Sequence, residues 1–207
     1  MFTDQDLQIM DSIIKRYPRS RSAIMPLLHY AQSKAGYVTN EGIELIAKLL
    51  TIETAEVSAV ATFYTQYKRK PVGEYHVGVC TNTLCAVMGG DAIFAGLKDH
   101  LGIENDGVTA DGKVSLEHIE CNAACDYAPV VMANWEFYDN QSVQSAKDLV
   151  DSMRQGNPTA PTRGPKSLPT WKENSAVLAG INDGRANEGV QAGEPTLLGL
   201  KLAKEGK

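Results

Sequence analysis

The sequence predicts a mixed α/β (α+β) protein in three parts. These are an N-terminal helical bundle over residues 1–70, a domain alternating strands and helices over 71–156, and an extended Pro/Gly-rich tail over 157–207. Three observations predict it. Apolar residues recur at helical spacing through the first part. They switch in the second to short strand-like runs separated by helical patterns. The third part concentrates five of the nine prolines and seven of the eighteen glycines, with no sustained apolar period beyond a short TLLGLKLA. With 207 residues, 43% of them hydrophobic, the chain can build one ordinary domain with an appendage or two small domains.

Each element follows from its residues. Leu7, Met10, Ile13, Ile14 and Tyr17 recur at helical spacing, with Thr3 as N-cap and Pro18 as stop. A second helix is expected from Ser22 to Ala35, with Pro26 in its first turn and Gly36 as C-cap. Asn40 caps a third, carrying Ile43, Ile46, Ala47 and Leu50; Thr54 caps a fourth, carrying Val57, Val60, Ala61 and Tyr64. Short helices on short loops make a small bundle. Beyond it, EYHVGVC is expected as a strand with Tyr75, Val77 and Val79 on one face, and AVMGGDAIFAGLKDHLG as a helix ending near Gly102. VSLEHIEC follows as a second strand, VVMANWEFYD as a third, and SVQSAKDLVDSMRQG as a closing helix. The last two strands are expected to pair as a hairpin under that helix.

Charge and composition narrow the function. The net charge of −5 argues against a general nucleic-acid binder. The tail carries seven Lys/Arg against five Asp/Glu, a balance of +2 that leaves −7 on residues 1–156. Such a tail is expected to be disordered alone and ordered on a partner. No run approaches the roughly 18 apolar residues of a membrane span, so no direct membrane insertion is expected. The opening MFTDQDLQIMD is acidic and polar, unlike a secretory signal or an Arg-rich transit peptide. A cytoplasmic location follows as the expectation, where thiols stay reduced and four cysteines in two close pairs read as metal ligands or redox groups.

Those pairs lie in VGVCTNTLCAVMGG and IECNAACDYAPVVM. Cys80 ends the first strand and Cys85 opens the next helix, where free N–H groups and the helix dipole favour a thiolate. Cys121 ends the second strand and Cys125 stands in the loop before the third. Neighbouring strand ends share a rim, so the pairs can meet there. The loop TNTL offers N–H groups and hydroxyls to sulfur, and Gly89 and Gly90 leave room for close approach. Two separated pairs suit a [2Fe–2S] cluster, with two thiolates for each iron. Structural zinc usually shows tighter C-x₂-C knuckles, dithiol redox sites show C-x-x-C, and Rieske centres need Cys-x-His. Spacing therefore favours iron–sulfur while zinc and redox thiols stay open.

The stretch CTNTLC…CNAACDYAPVVMANWEFYDN resembles the signature of the thioredoxin-like [2Fe–2S] subunits of NADH–quinone oxidoreductase, respiratory complex I. C-x₄-C is followed by C-x₃-C-x₃-P and a strand ending in an aromatic–acidic turn. SAIMPLLHYAQSKAGYVT and VSAVATFYTQY are similar to the family's helical preface, so the likeness runs over about residues 5–156. It implies a thioredoxin-like [2Fe–2S] ferredoxin domain with Cys80, Cys85, Cys121 and Cys125 as ligands of one cluster. It also implies FMN and NADH on a partner flavoprotein subunit, with other peripheral-arm subunits around it at the inner face of the membrane. No catalytic activity is then expected of the isolated chain, and no G-x-G-x-x-G follows a strand to bind a dinucleotide. The equivalent subunit of an NAD-linked formate dehydrogenase or hydrogenase is the alternative, and a zinc-stabilised interaction domain a more distant one.

Other residues read more simply. His29, His76, His100 and His118 are scattered, and His118, three before Cys121, reads as a partly exposed strand histidine. Phe63, Tyr64 and Tyr67 read as core, YKRKP as a solvated helix end, and Pro129 as shaping the loop after the last cysteine. Asp126, directly after Cys125, is expected to favour the oxidised, less negative cluster. Asp126→Asn should then raise the midpoint potential in a redox titration; an unchanged or lower value counts against it.

Overall fold

The structure, a computed structural model, describes residues 2–206. The chain divides into two compact units, one of Met1–Val72 with Thr170–Asp183, the other of Gly73–Pro169 with Gly184–Lys207.

The first unit is helical: α1 (Asp4–Ile14), α2 (Ile24–Ala35), α3 (Asn40–Leu50), α4 (Thr54–Phe63) and α8 (Trp171–Leu178). Thr3 and Asp6 form a reciprocal capping box on α1, and Gly36, at φ +85°, closes α2. Two caps fall one residue earlier than expected: at Thr39 the hydroxyl accepts the Gly42 N–H, and at Glu53 the backbone N–H donates to the Glu56 carboxylate one turn on. Tyr17 and Tyr64 lie beyond their helices. Met10, Ile13, Leu27, Leu28, Ile46 and Val57 meet in one core. Buried Gln32 is fully engaged: its carbonyl accepts from Lys68 N–H at 2.8 Å, and its amide donates to the Gln66 carbonyl at 3.2 Å.

α8 comes from the stretch expected to be extended. A Thr170–Glu173 capping box starts it, and Trp171, fully buried, donates its indole N–H to the Gly36 carbonyl at 2.7 Å. One large apolar side chain and one good cap suffice to order a short helix against a preformed surface.

His29 is buried in this unit with its ring 4.8 Å from that of Tyr67. Burial pushes its pKa down to about 4, partly opposed by a hydrogen bond with Gln66. The imidazole is therefore neutral when folded but takes up a proton below about 6.5 when unfolded. Its stability contribution is complete above pH 6.5 and is lost as pH falls towards 4, about 3 kcal/mol in all. His29→Phe should flatten the fall in urea midpoint between pH 7 and 4.5; an unchanged slope would clear His29 of it.

The second unit carries β1 (Tyr75–Cys80), α5 (Thr83–Val87), α6 (Gly90–Leu101), β2 (Gly107–Val108), β3 (Val114–Ile119), β4 (Val131–Ala133), β5 (Glu136–Tyr138), α7 (Val143–Arg154) and α9 (Glu194–Lys204). The strands form one mixed sheet in the order β2-β3-β1-β4-β5, with β1 parallel to β3 and antiparallel to β4. Val77, Val79, Leu116 and Val131 pack on one face under Ile93 and Leu97 of α6 and Leu149 and Val150 of α7. Cys80, Ile119, Val130 and Met132 form a second cluster. Gly78 sits between: a Cβ there would lie 2.6 Å from Ile119 Cγ2.

Three details depart from the sequence expectations. The helix expected across residues 86–102 breaks at Gly89, φ +113°, into α5 and α6. VVMANWEFYD is itself a hairpin, β4 and β5, because Asn134 and Trp135 both take positive φ in a two-residue turn. VSLEHIEC accordingly pairs parallel with β1 across a helical crossover, not as the hairpin partner of β4.

Candidate metal centre

The parallel pairing of β1 with β3 aligns Cys80 with Ile119, so both strands end at the same rim. From there the chain runs into Asn82 and the short α5, which returns Cys85 to the rim, buried, beside Cys80. After β3 the chain reaches Cys121 and then Cys125, both exposed, with their sulfurs 3.8 Å apart. Cys125 opens a tight turn, Cys125–Tyr127, followed by a cis Ala128–Pro129 bond that leads into β4. The rim thus gathers an inner pair and an outer pair of free thiols.

Donors converge on the sulfurs. The Ala123 N–H points at Cys121 Sγ at 3.3 Å, from a backbone turned to φ +54°. Asn82 ties its amide to the Ile119 carbonyl at 3.0 Å and lies 3.8 Å from Cys80 Sγ. The Val130 N–H bonds to the Cys85 sulfur. Gly90 lets α6 press against both inner cysteines: a Cβ there would lie 2.4 Å from the Cys80 carbonyl oxygen and 2.9 Å from that of Cys85.

At Cys85, burial works against the helix terminus. Burial, with Cys80 and Cys125 nearby, pushes the Cys85 thiol up to about 11, although the Val130 N–H opposes it. Desolvation outweighs what a five-residue helix supplies. Cys121 likewise pushes the Cys125 thiol up. Crowded thiols that resist ionising one by one suit a shared cation, which draws off their protons and neutralises the charge they would otherwise impose on each other. Two pairs of thiols on one rim, backed by N–H donors and a dry wall of Ile119, Val130 and Met132, suit a two-iron cluster, which takes two thiolates on each iron. Among the described residues, no group of three or more His, Cys, Asp or Glu is placed to hold a metal ion.

The other singled-out residues lie elsewhere. His76 is buried on β1 with Nδ1 3.1 Å from Ser115 Oγ and Nε2 3.0 Å from Glu117 Oε2. His100 contacts Asp151 at 2.8 Å, and exposed His118 packs its ring edge on Phe94. Tyr67 is core as expected, whereas Phe63 and Tyr64 are exposed. Asn82 escaped the sequence reading as an individual residue; its place in the C-x₄-C loop was the signal that could have found it.

The sequence pattern of the family described as thioredoxin-like [2Fe-2S] ferredoxin matches residues 10–154. A subunit of the NADH-quinone oxidoreductase of Mycobacterium tuberculosis (strain ATCC 25618 / H37Rv) is 59% identical over 194 residues, covering 93% of this chain and 77% of that one. Its namesake in Rickettsia bellii is 40% identical over 156 residues, 74% of this chain and 93% of that one. A crystal structure of an NAD+-reducing [NiFe]-hydrogenase in the H2-reduced state shares the fold, with a TM-score of 0.58 at 18% identity. That match covers 66% of this chain and only 23% of the hydrogenase chain. Taken with the two thiol pairs at one sheet rim, the family match and the identities lead to one conclusion: this chain belongs to the thioredoxin-like [2Fe–2S] ferredoxin family.

Proposed function

We propose that this chain is the electron-transfer subunit of the NADH-oxidising module of an NADH–quinone oxidoreductase, holding one [2Fe–2S] cluster on Cys80, Cys85, Cys121 and Cys125. It docks on a flavoprotein subunit that binds FMN and NADH, among the other peripheral-arm subunits at the inner face of the membrane. The observation that carries this reading is the meeting of a buried and an exposed thiol pair at one rim of the sheet. Among the described residues no helix is long and apolar enough to cross a membrane.

When bound, such a cluster supplies one-electron redox chemistry at a potential tuned by charge, hydrogen bonds to sulfur and solvent exposure. The residues divide the work. Cys80 and Cys85 anchor the interior side, where Ile119, Val130 and Met132 exclude water. Ala123, Asn82 and Val130 aim N–H groups at sulfur, favouring added negative charge there. Cys121 and Cys125 leave the opposite edge open to an electron partner.

Iron, sulfide and zinc content with visible and EPR spectra on anaerobically purified protein test the cluster. Two irons and two sulfides per chain, with a signal appearing on reduction, are expected; tightly bound zinc without colour would sink the reading. Pull-down of the native complex then distinguishes a quinone-reducing assembly from an NAD-linked hydrogenase or formate dehydrogenase.

Gly90→Ala tests the backing of the inner pair. The added methyl meets two backbone carbonyls that cannot swing aside. We expect a loss of about 1–3 kcal/mol in stability and a fall in iron per chain. Gly199→Ala, where a Cβ meets nothing within 4 Å, is the control and should keep full loading. Equal iron in the two variants would refute the role given to Gly90.

A further inference from the structure

The turn that carries Cys125 is held from outside by two stretches of residues 157–207 that the electron-transfer reading does not use. Residues 159–163 run beside β5. The Thr162 N–H donates to the Phe137 carbonyl at 2.9 Å, and its hydroxyl lies 2.8 Å from Asp139 Oδ2. This sets Arg163 in a slot: its guanidinium carbon lies 3.9 Å from the centroid of Phe137 and 4.8 Å from that of Tyr127, and Nη2 donates to Asp139 Oδ1 at 3.1 Å. Tyr127 is the last residue of the Cys125–Tyr127 turn. A planar cation stacked on that ring and bonded through one nitrogen to a carboxylate fixes the turn more firmly than a free side chain would.

The second stretch arrives at the same turn. Gly164 N–H donates to the Val190 carbonyl at 3.0 Å, tying residues 184–193 to the first stretch. Gly193 then lies against the Tyr127 hydroxyl so closely that a Cβ would come within 2.3 Å of it. At the start of α9, the Thr196 hydroxyl donates to Asp126 Oδ2. Two residues of one three-residue turn are thus gripped by a stacked arginine, a glycine backbone and a threonine hydroxyl.

We propose that residues 162–163 and 193–196 form a clamp on the turn after Cys125, in which Arg163 and Thr196 are positioning residues that slow loss of the cluster from its exposed edge. The proposal rests on the cluster assignment above. Cys121 and Cys125 are the exposed ligands, so release of iron starts on their side. What holds Cys125 in place then sets the release rate.

The test uses the full chain loaded with its cluster: iron release to excess EDTA, and the EPR spectrum of the reduced protein. Arg163→Gln and Thr196→Val should each speed iron release about fivefold, the loss expected for one stacking or charge-assisted contact. Each should also alter the EPR spectrum, and Thr196→Ser should restore both readouts. Thr196 is exposed, so Thr196→Val folds and decides the matter even if Arg163→Gln does not. Variants that load normally, release iron at the wild-type rate and give the wild-type spectrum overturn the clamp alone. A wild-type chain that takes up no iron overturns the cluster assignment, and the clamp with it.

Discussion

Serine in place of Cys80 or Cys85 should leave the protein colourless, with iron and sulfide near zero and no EPR signal after reduction. Both thiols are buried, in an apolar cluster with Ile119, Val130 and Met132. A serine hydroxyl there is a harder, far less acidic ligand, and burial opposes its ionisation further. Without metal it also leaves a buried polar group to be satisfied, a cost of about 1–3 kcal/mol. Cys121 and Cys125 differ because water reaches them. Cys121→Ser or Cys125→Ser should retain part of the iron, with a shifted visible spectrum and faster bleaching in air. Iron and sulfide per folded chain, with far-UV circular dichroism as the fold control, read all of these variants. Any serine variant that keeps two irons and the wild-type spectrum removes that cysteine from the ligand set.

Asp6→Ala should cost the helical unit about 2–4 kcal/mol, because it removes the α1 capping box and leaves the buried Tyr30 hydroxyl without its acceptor. One carboxylate oxygen accepts the Tyr30 hydroxyl and the Lys34 ammonium, each at 2.6 Å; the other accepts the Thr3 N–H and hydroxyl, each at 2.8 Å. Burial alone would raise the Asp6 pKa, but hydrogen bonds from Lys34, Tyr30 and Thr3 outweigh it and hold the carboxyl well below its usual range. The linkage sign follows. A depressed carboxyl contributes stability that is complete above its unfolded value of about 3.8 and is lost as pH falls below it. Urea titrations at pH 7 and at pH 3 should therefore show a large gap between wild type and variant that narrows in acid. A loss under 1 kcal/mol at pH 7, or a gap independent of pH, would show that Asp6 does not tie α1 to α2.

Much of this was legible where local chemistry decides it. Thr3, Gly36 and the apolar spacing of α1 to α4 are local signals, and the period-two runs mark β1 and β3. The cysteine spacing pointed to two pairs and the strand ends to a shared rim. The parallel partnership of β1 with β3 was not legible, because a run of apolar residues does not state its partner. Nor was the hairpin inside VVMANWEFYD: Asn134-Trp135 takes the two positive φ angles usually announced by Asn-Gly. The burial of Cys85, which works against the helix terminus, was not legible because burial is invisible one residue at a time. α8 was announced by Thr170 and Glu173 yet hidden among prolines and glycines. Arg163 and Thr196 left no trace, since stacking and contacts with distant residues have no period.

The parallel crossover between β1 and β3 has a consequence for the order of assembly during biosynthesis. Cys80 and Cys85 face each other once β1 and α5 exist, from a few consecutive residues. Cys121 and Cys125 join them only after α6 has packed and β3 has paired beside β1, a closure that costs the entropy of a long loop. A nascent chain therefore displays half a binding site early and the whole site late. On the proposed ligand set, iron delivered too soon would meet a two-thiol intermediate, and the finished scaffold would receive it through its solvent-facing edge.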